Sequence, residues 1–187
     1  DVWKPSNIDG DKFGSQLKDG AVISAPGFKE AWKQTVESGW LQAVCKEEHG
    51  GMGLPLFFRN AMDEPAISCN MAISVVAALS LGVYDLIIKH ASKEIIERYA
   101  TPVSSGEWCG TMCLTEPHCG TDLGLIKTKA LPQDDGSFLI TGTKIFITAG
   151  DHDLSDNIVH MVLAKLPDAP EGSRGISLFL VPKFLDD

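Results

Sequence analysis

The sequence predicts an α+β protein, an all-α N-terminal domain over residues 1–107 followed by an antiparallel β-barrel or sandwich over 108–187. Three observations carry this. Before Glu107, apolar residues recur at i, i+3 and i+4, and no charged residue occurs from Pro65 to Tyr84. After it, short β-branched and aromatic runs are separated by Asp/Gly turn clusters. Between them, Pro102 to Glu107 is a stretch of small turn residues where helical periodicity stops.

Taken in order, the leading stretch to Ala25 reads as polar and turn-rich, and the first residue is not methionine, which suggests a fragment of a longer protein. Pro26 to Ser38 reads as a helix, with Phe28, Ala31, Trp32, Thr35 and Val36 on one face and Gly39 placed to end it. Glu47 to Pro55 is a glycine-rich loop that follows no strand, so its glycines serve a turn rather than a phosphate. Leu56 to Met62 opens a helix, Pro65 breaks or restarts it, and Ala66 to His90 forms a long apolar helix. That apolar stretch has about the length of a membrane span, but Ser68, Asn70, Ser74, Ser80 and Gly82 lower its hydrophobicity, and a core helix is the better expectation. Ser92 to Tyr99 is a short amphipathic helix. Strands are expected at Trp108 to Thr115, Lys127 to Pro132, Phe138 to Gly142, Thr143 to Ala149, Ile158 to Leu166 and Ile176 to Pro182.

Length and composition narrow the function. A chain of 187 residues buries roughly 70% of its unfolded surface, enough for a true core. The net charge of −9 opposes binding to nucleic acid or anionic lipid. Five cysteines, an odd number and without a leader sequence, point to a reducing compartment, the cytoplasm, and not to a disulfide framework. Cys109, Cys113, His118 and Cys119 cluster in sequence, yet lack the two-residue spacing of a zinc knuckle, so no metal is expected. No histidine sits at a recognised nucleophile or metal spacing, which lowers hydrolase and metalloenzyme readings.

Two strings carry the functional signal: Leu114-Thr115-Glu116-Pro117-His118-Cys119-Gly120-Thr121-Asp122 and Lys144-Ile145-Phe146-Ile147-Thr148-Ala149-Gly150. The first combines hydroxyls, a proline and a glycine in a turn where donors can converge on a polar ligand. The second is strand-like and ends on a glycine. Either alone would be ordinary, and their pairing is the information.

The pair resembles the flavin-contacting motifs of the acyl-CoA dehydrogenase family, written TEPxAGSD and KxWITNG, and the sequence after Gly150 resembles most the branch acting on methylthiopropanoyl-CoA. Cys119 stands for alanine, Thr121 for serine, Phe146 for tryptophan and Ala149 for asparagine. The resemblance implies FAD as cofactor, with Met112, Cys113, Leu114, Thr115, Gly120, Thr121, Phe146, Ile147 and Thr148 as its contacts, Thr148 nearest N5 and Phe146 over the ring. Thr121 is implied as the acyl-CoA contact as well. Coenzyme A is a polyanion, for which Lys127, Lys129, Lys144 and Arg174 are the available cations. Glu116 is expected to tie the turn together and Asp122 to bond local backbone amides.

Removing the α-proton of an acyl thioester needs a carboxylate base. The family supplies it from a C-terminal helical bundle that has no match here, so no catalytic residue is assigned and the chain alone is expected to be inactive. The resemblance further implies an acyl-CoA substrate, an electron-transfer flavoprotein-type acceptor and a homo-oligomer for the full-length protein. Alternatives are an acyl-CoA oxidase or flavin monooxygenase of the same fold, or a non-catalytic assembly module on this scaffold.

Overall fold

The computed structural model describes residues 2–185. Its elements are α1 (Trp3–Phe13), a hairpin of β1 (Gln16–Lys18) and β2 (Ala21–Ile23), α2 (Phe28–Glu37), α3 (Phe57–Cys69), α4 (Met71–His90) and α5 (Lys93–Ser105). Five strands follow: β3 (Trp108–Cys113), β4 (Lys129–Pro132), β5 (Phe138–Thr141), β6 (Asn157–Lys165) and β7 (Ile176–Pro182). Helices and sheet share one core. Trp32, Leu41, Ile73, Val83, Ile87 and Val103 from the helical layer are buried with Cys109, Val159 and Met161 from the sheet. α4 approaches β3 closely because Gly110 has no side chain: a Cβ there would sit 2.6 Å from Val83. The Gly110 N–H donates to Ser80 Oγ at 3.0 Å, which satisfies a strand amide with a helix side chain.

The polar leading stretch is structured. The expectation of turns missed α1 and the hairpin, whose two-residue connection Asp19-Gly20 has positive φ at both positions, 50° and 83°. Asp-Gly is a signature of that turn type, so the signal was present.

The break between α3 and α4 also moves. Pro65 does not interrupt α3, which runs on to Cys69. Asn70 makes the break: its extended backbone (φ −157°) ends α3, and its side-chain oxygen caps α4 by accepting the Ile73 N–H at 3.2 Å. Its amide donates to Ser6 Oγ of α1 at 2.9 Å, and the residue is fully buried. A tertiary partner from a distant helix therefore decides where the chain turns. α5 likewise continues through Pro102 to Ser105 and stops at Gly106, whose φ is 83°.

α4 carries no charge from Met71 to Tyr84 and is covered on one side. Ile73, Val76, Leu81, Val83, Tyr84 and Ile87 are buried, while Met71, Ala72, Ala78 and Gly82 are exposed. It is the one helix among the described residues long and apolar enough to cross a membrane by length and composition. A polar contact to β3 and an apolar one to α5 hold its covered face.

The sheet is mixed and not antiparallel throughout. β6 pairs in parallel with β3, Trp108 opposite Asn157 through Cys113 opposite Val162. It also pairs in parallel with β4 at Lys165 and antiparallel with β7, while β4 and β5 form an antiparallel pair. The parallel pairing follows from the long connection between β3 and β6, which returns the chain in its original direction. The expected strand at Thr143 to Ala149 is absent: the segment is irregular, with Phe146 and Ala149 at φ 56° and 54°. Two non-glycine residues in the left-handed region cannot continue a pleated ladder.

Candidate functional site

The first string leaves the end of β3 as a tight turn. Glu116 N–H donates to Cys119 O at 2.9 Å, and Cys119 N–H to Glu116 O at 3.1 Å. The Glu116 side chain then turns inward, 3% exposed. Its carboxylate accepts the Lys127 N–H at 2.7 Å, the Thr128 N–H at 3.0 Å and the Thr128 hydroxyl at 2.5 Å. Lys144 Nζ completes the set at 2.9 Å. Burial pushes this carboxyl up, but the bonds from Thr128, Lys127 and Lys144 outweigh it and hold it down at about 2. Asp122 accepts the Gly124 N–H at 3.0 Å. Both carboxylates thus do what the turn chemistry implies.

Glu116, His118 and Cys119 bring three ligand-type atoms within 4.8 Å of one another. The Glu116 oxygens are already engaged by four donors, and His118 Nε2 lies 2.9 Å from Leu125 O. The chemistry of the triplet is that of a tied turn.

The second string is fastened to the first. Ile145 N–H donates to Thr115 O at 2.9 Å, and Lys144 Nζ donates to Leu114 O at 3.1 Å. Lys144 is therefore spent inside the protein, its side chain 10% exposed, and does not serve as one of the cations expected for coenzyme A. Lys127, Lys129 and Arg174 remain exposed. Beyond Ile145 the loop projects: Phe146 is 88% exposed, and Ile147 to Gly150 closes a turn with Gly150 N–H on Ile147 O at 3.0 Å.

Of the expected contacts, Leu114 and Thr115 lie at the junction of the two strings, and Gly120 packs against Thr115, where an added Cβ would stand 3.4 Å from Thr115 Cγ2. Thr121 and Thr148 are exposed, Ile147 is half-buried, and among the described residues the hydroxyls of Thr115, Thr121 and Thr148 have no hydrogen-bond partner. Met112 packs into the shared core. Cys113 is buried beside Thr111 and His160, with Thr111 Oγ1 2.7 Å from His160 Nδ1 and Cys113 Sγ 4.0 Å from the same nitrogen. Burial pushes the Cys113 thiol up, so it is a protonated packing group. Cys113 at the end of β3, His160 of β6, and Lys144, Ile147 and Gly150 of the second string line a cavity of about 440 Å³. A second cavity of about 300 Å³ between α1, α2 and α3, lined by Trp3, Thr35, Trp40 and Cys69, shares no residue with either string.

Sequence reasoning missed the structural partners: Thr128 on Glu116, His160 on Thr111, and Asp153 on Ser24 and Lys29. Lys144 belongs to a motif and could be suspected; the others are brought in by pairing across the sheet or between layers, which no local pattern encodes.

These features fit a flavin. An exposed aromatic in a left-handed conformation offers a ring face, unpartnered hydroxyls offer donors, and Gly120 keeps the approach to Thr115 open. Comparison with known proteins agrees on the class: the family model described as acyl-CoA dehydrogenase, N-terminal domain, matches residues 21–107, and that described as acyl-CoA dehydrogenase, middle domain, matches 111–186. The chain belongs to the acyl-CoA dehydrogenase family.

Among individual proteins, it is 46% identical over 181 residues to the 3-methylmercaptopropionyl-CoA dehydrogenase of Ruegeria pomeroyi, covering 97% of this chain and 31% of that protein. The acyl-CoA dehydrogenase of Geobacillus kaustophilus shares the fold with a TM-score of 0.77 at 24% identity, over 97% of this chain and 44% of that one. An acyl-CoA dehydrogenase of Bacillus anthracis, solved in complex with FAD, matches with a TM-score of 0.69 at 25% identity, over 84% of this chain and 26% of that one. The chain thus spans about a third of the length of the curated relative.

Proposed function

We propose that this chain is the N-terminal helical part (1–107) and the middle β part (108–187) of an FAD-dependent acyl-CoA dehydrogenase that oxidises an acyl-CoA thioester to the 2,3-enoyl-CoA. The observation that carries the reading is the junction of the two strings, where Ile145 N–H meets Thr115 O and Lys144 reaches Leu114 O, while among the described residues the hydroxyls of Thr115, Thr121 and Thr148 are unpartnered and Phe146 is exposed. Thr115 and Thr148 would donate to the flavin edge where negative charge develops, and Phe146 would shield the ring from water. Thr121 would hold the pantetheine arm through its hydroxyl, its extra methyl narrowing the space relative to serine. Bound FAD supplies the acceptor for the hydride that leaves the acyl β-carbon. Within 2–185, the two carboxylates of the turn are occupied by backbone and lysine donors, so neither is free to remove the α-proton. The base is assigned to a part of the protein outside this chain.

The similarity to a 3-methylmercaptopropionyl-CoA dehydrogenase supports a short thioether or acyl chain on coenzyme A. An electron-transfer flavoprotein-type acceptor and a homo-oligomeric intact enzyme are part of the same proposal, and five free cysteines are consistent with a cytoplasmic setting. The test is to purify the intact protein, release its chromophore by denaturation and titrate it anaerobically with methylthiopropanoyl-CoA and butyryl-CoA. A yellow protein whose flavin bleaches, and recovers with an electron-transfer flavoprotein faster than with air, is the expected result. Rapid recovery in air alone would assign an oxidase, and a colourless protein that takes up no FAD would overturn the reading.

A further inference from the structure

The segment after Gly150 is fastened to the helical layer by one side chain. Asp153 Oδ1 accepts the Ser24 N–H at 2.9 Å, a bond spanning 129 positions of sequence. Asp153 Oδ2 lies 2.8 Å from Lys29 Nζ of α2, an ion pair whose approach is off the hydrogen-bond axis. The Asp153 side chain is 19% exposed. On either side of it, Ala149 and Leu154 pack against the core that helices and sheet share. The loop between Ile145 and Asp153 is therefore held at both ends: at its start by Lys144 and Ile145 on the first string, at its end by Asp153 on Ser24 and Lys29. Between the two tethers lie both strained residues, Phe146 and Ala149, at φ 56° and 54°. A left-handed non-glycine residue is strained, and such strain persists only where the surroundings impose it.

We propose that Asp153 is a positioning residue for the flavin loop, holding Phe146 and Thr148 in their ligand-facing arrangement by anchoring the far end of the loop to the helical layer through Ser24 and Lys29. It touches neither flavin nor substrate and acts through the loop. The inference rests on the flavin reading given above. It assigns to the helical layer a part in cofactor binding that neither string contains, since Ser24 and Lys29 lie far upstream of both.

The experiment measures FAD affinity of the intact apoprotein by quenching of flavin fluorescence, for the wild type and for Asp153→Ala, Asp153→Asn and Lys29→Met. Lys89→Met, which breaks the exposed Lys89–Asp85 pair, is the control. Small misplacements of binding groups cost up to about a hundredfold. The expected result is a loss of about tenfold or more for Asp153→Ala, a smaller loss for Asp153→Asn, which keeps an acceptor for Ser24, a loss for Lys29→Met similar to that of Asp153→Asn, and no change for Lys89→Met. The visible spectrum of the FAD-saturated variants is expected to shift, because the loop no longer presents Phe146 and Thr148 to the ring in one arrangement. Circular dichroism at the binding temperature gives the folded fraction. Wild-type affinity in both Asp153→Ala and Lys29→Met, or a loss that only tracks the folded fraction with an unchanged spectrum, would overturn the role of Asp153. A wild-type protein that takes up no FAD would instead remove the flavin reading on which the role rests.

Discussion

The turn after β3 and the loop that follows β5 lie side by side and are built in opposite ways. The turn is satisfied from within: Glu116 is buried and accepts from Lys127, Thr128 and Lys144, and the chain around it needs no strained backbone. The loop is held from outside, with two left-handed residues between tethers and an aromatic ring 88% exposed. One segment is an anchor, and the other combines strained backbone with exposed, unpartnered groups. Stability and function are therefore separable between them: damage to the turn should be read in folding, damage to the loop in binding.

The largest effect that separates them is Glu116→Ala. It leaves the Lys144 ammonium buried without its counter-charge and two amides without an acceptor, and should destabilise the protein by about 3 to 5 kcal/mol in a urea titration. Any equivalent substitution in the loop should cost far less.

Acid should single out the same residue. The folded pKa of Glu116 is depressed from 4.5 to about 2, so its contribution is complete above pH 4.5 and is lost as pH falls toward 2. The loss is about 3 kcal/mol, and a Glu116→Gln variant should show a correspondingly flatter dependence of Tm on pH over that window.

In the loop the sign reverses. Phe146→Gly removes left-handed strain and sacrifices little burial, so apoprotein stability should rise by about 0.5 to 1 kcal/mol once the backbone entropy of glycine is subtracted. FAD affinity should fall in the same variant. A drop in both would mean that Phe146 packs for the fold and would blur the contrast between the segments.

Thr148→Ala should be the mildest change to the fold, within about 0.5 kcal/mol of wild type by thermal melt, because the side chain is exposed and unpartnered. Its effect should appear in the flavin spectrum and affinity alone.

What could be read from sequence follows the range of the interactions involved. α2 was legible because its apolar stripe and the terminating Gly39 are local signals. The close of α3 at Asn70 was misplaced onto Pro65, although Asn70 carries an N-cap signal, because its burial against Ser6 depends on α1. The strand expected at Thr143 to Ala149 had the right residue types, but tethers from Lys144 and Asp153 impose another backbone. The roles of Glu116 and Asp122 were legible because aspartate and glutamate in turns bond nearby amides.

By itself the sequence determined the family, the α+β class, the order of most elements and the two strings proposed to hold the cofactor, since each rests on residue types at short spacing. Tertiary structure decided the parallel entry of β6 beside β3, the burial of Lys144 against Glu116, the left-handed loop and its fastening to Ser24 and Lys29. Those depend on groups distant in the chain meeting across layers, where desolvation and geometry together choose the partner.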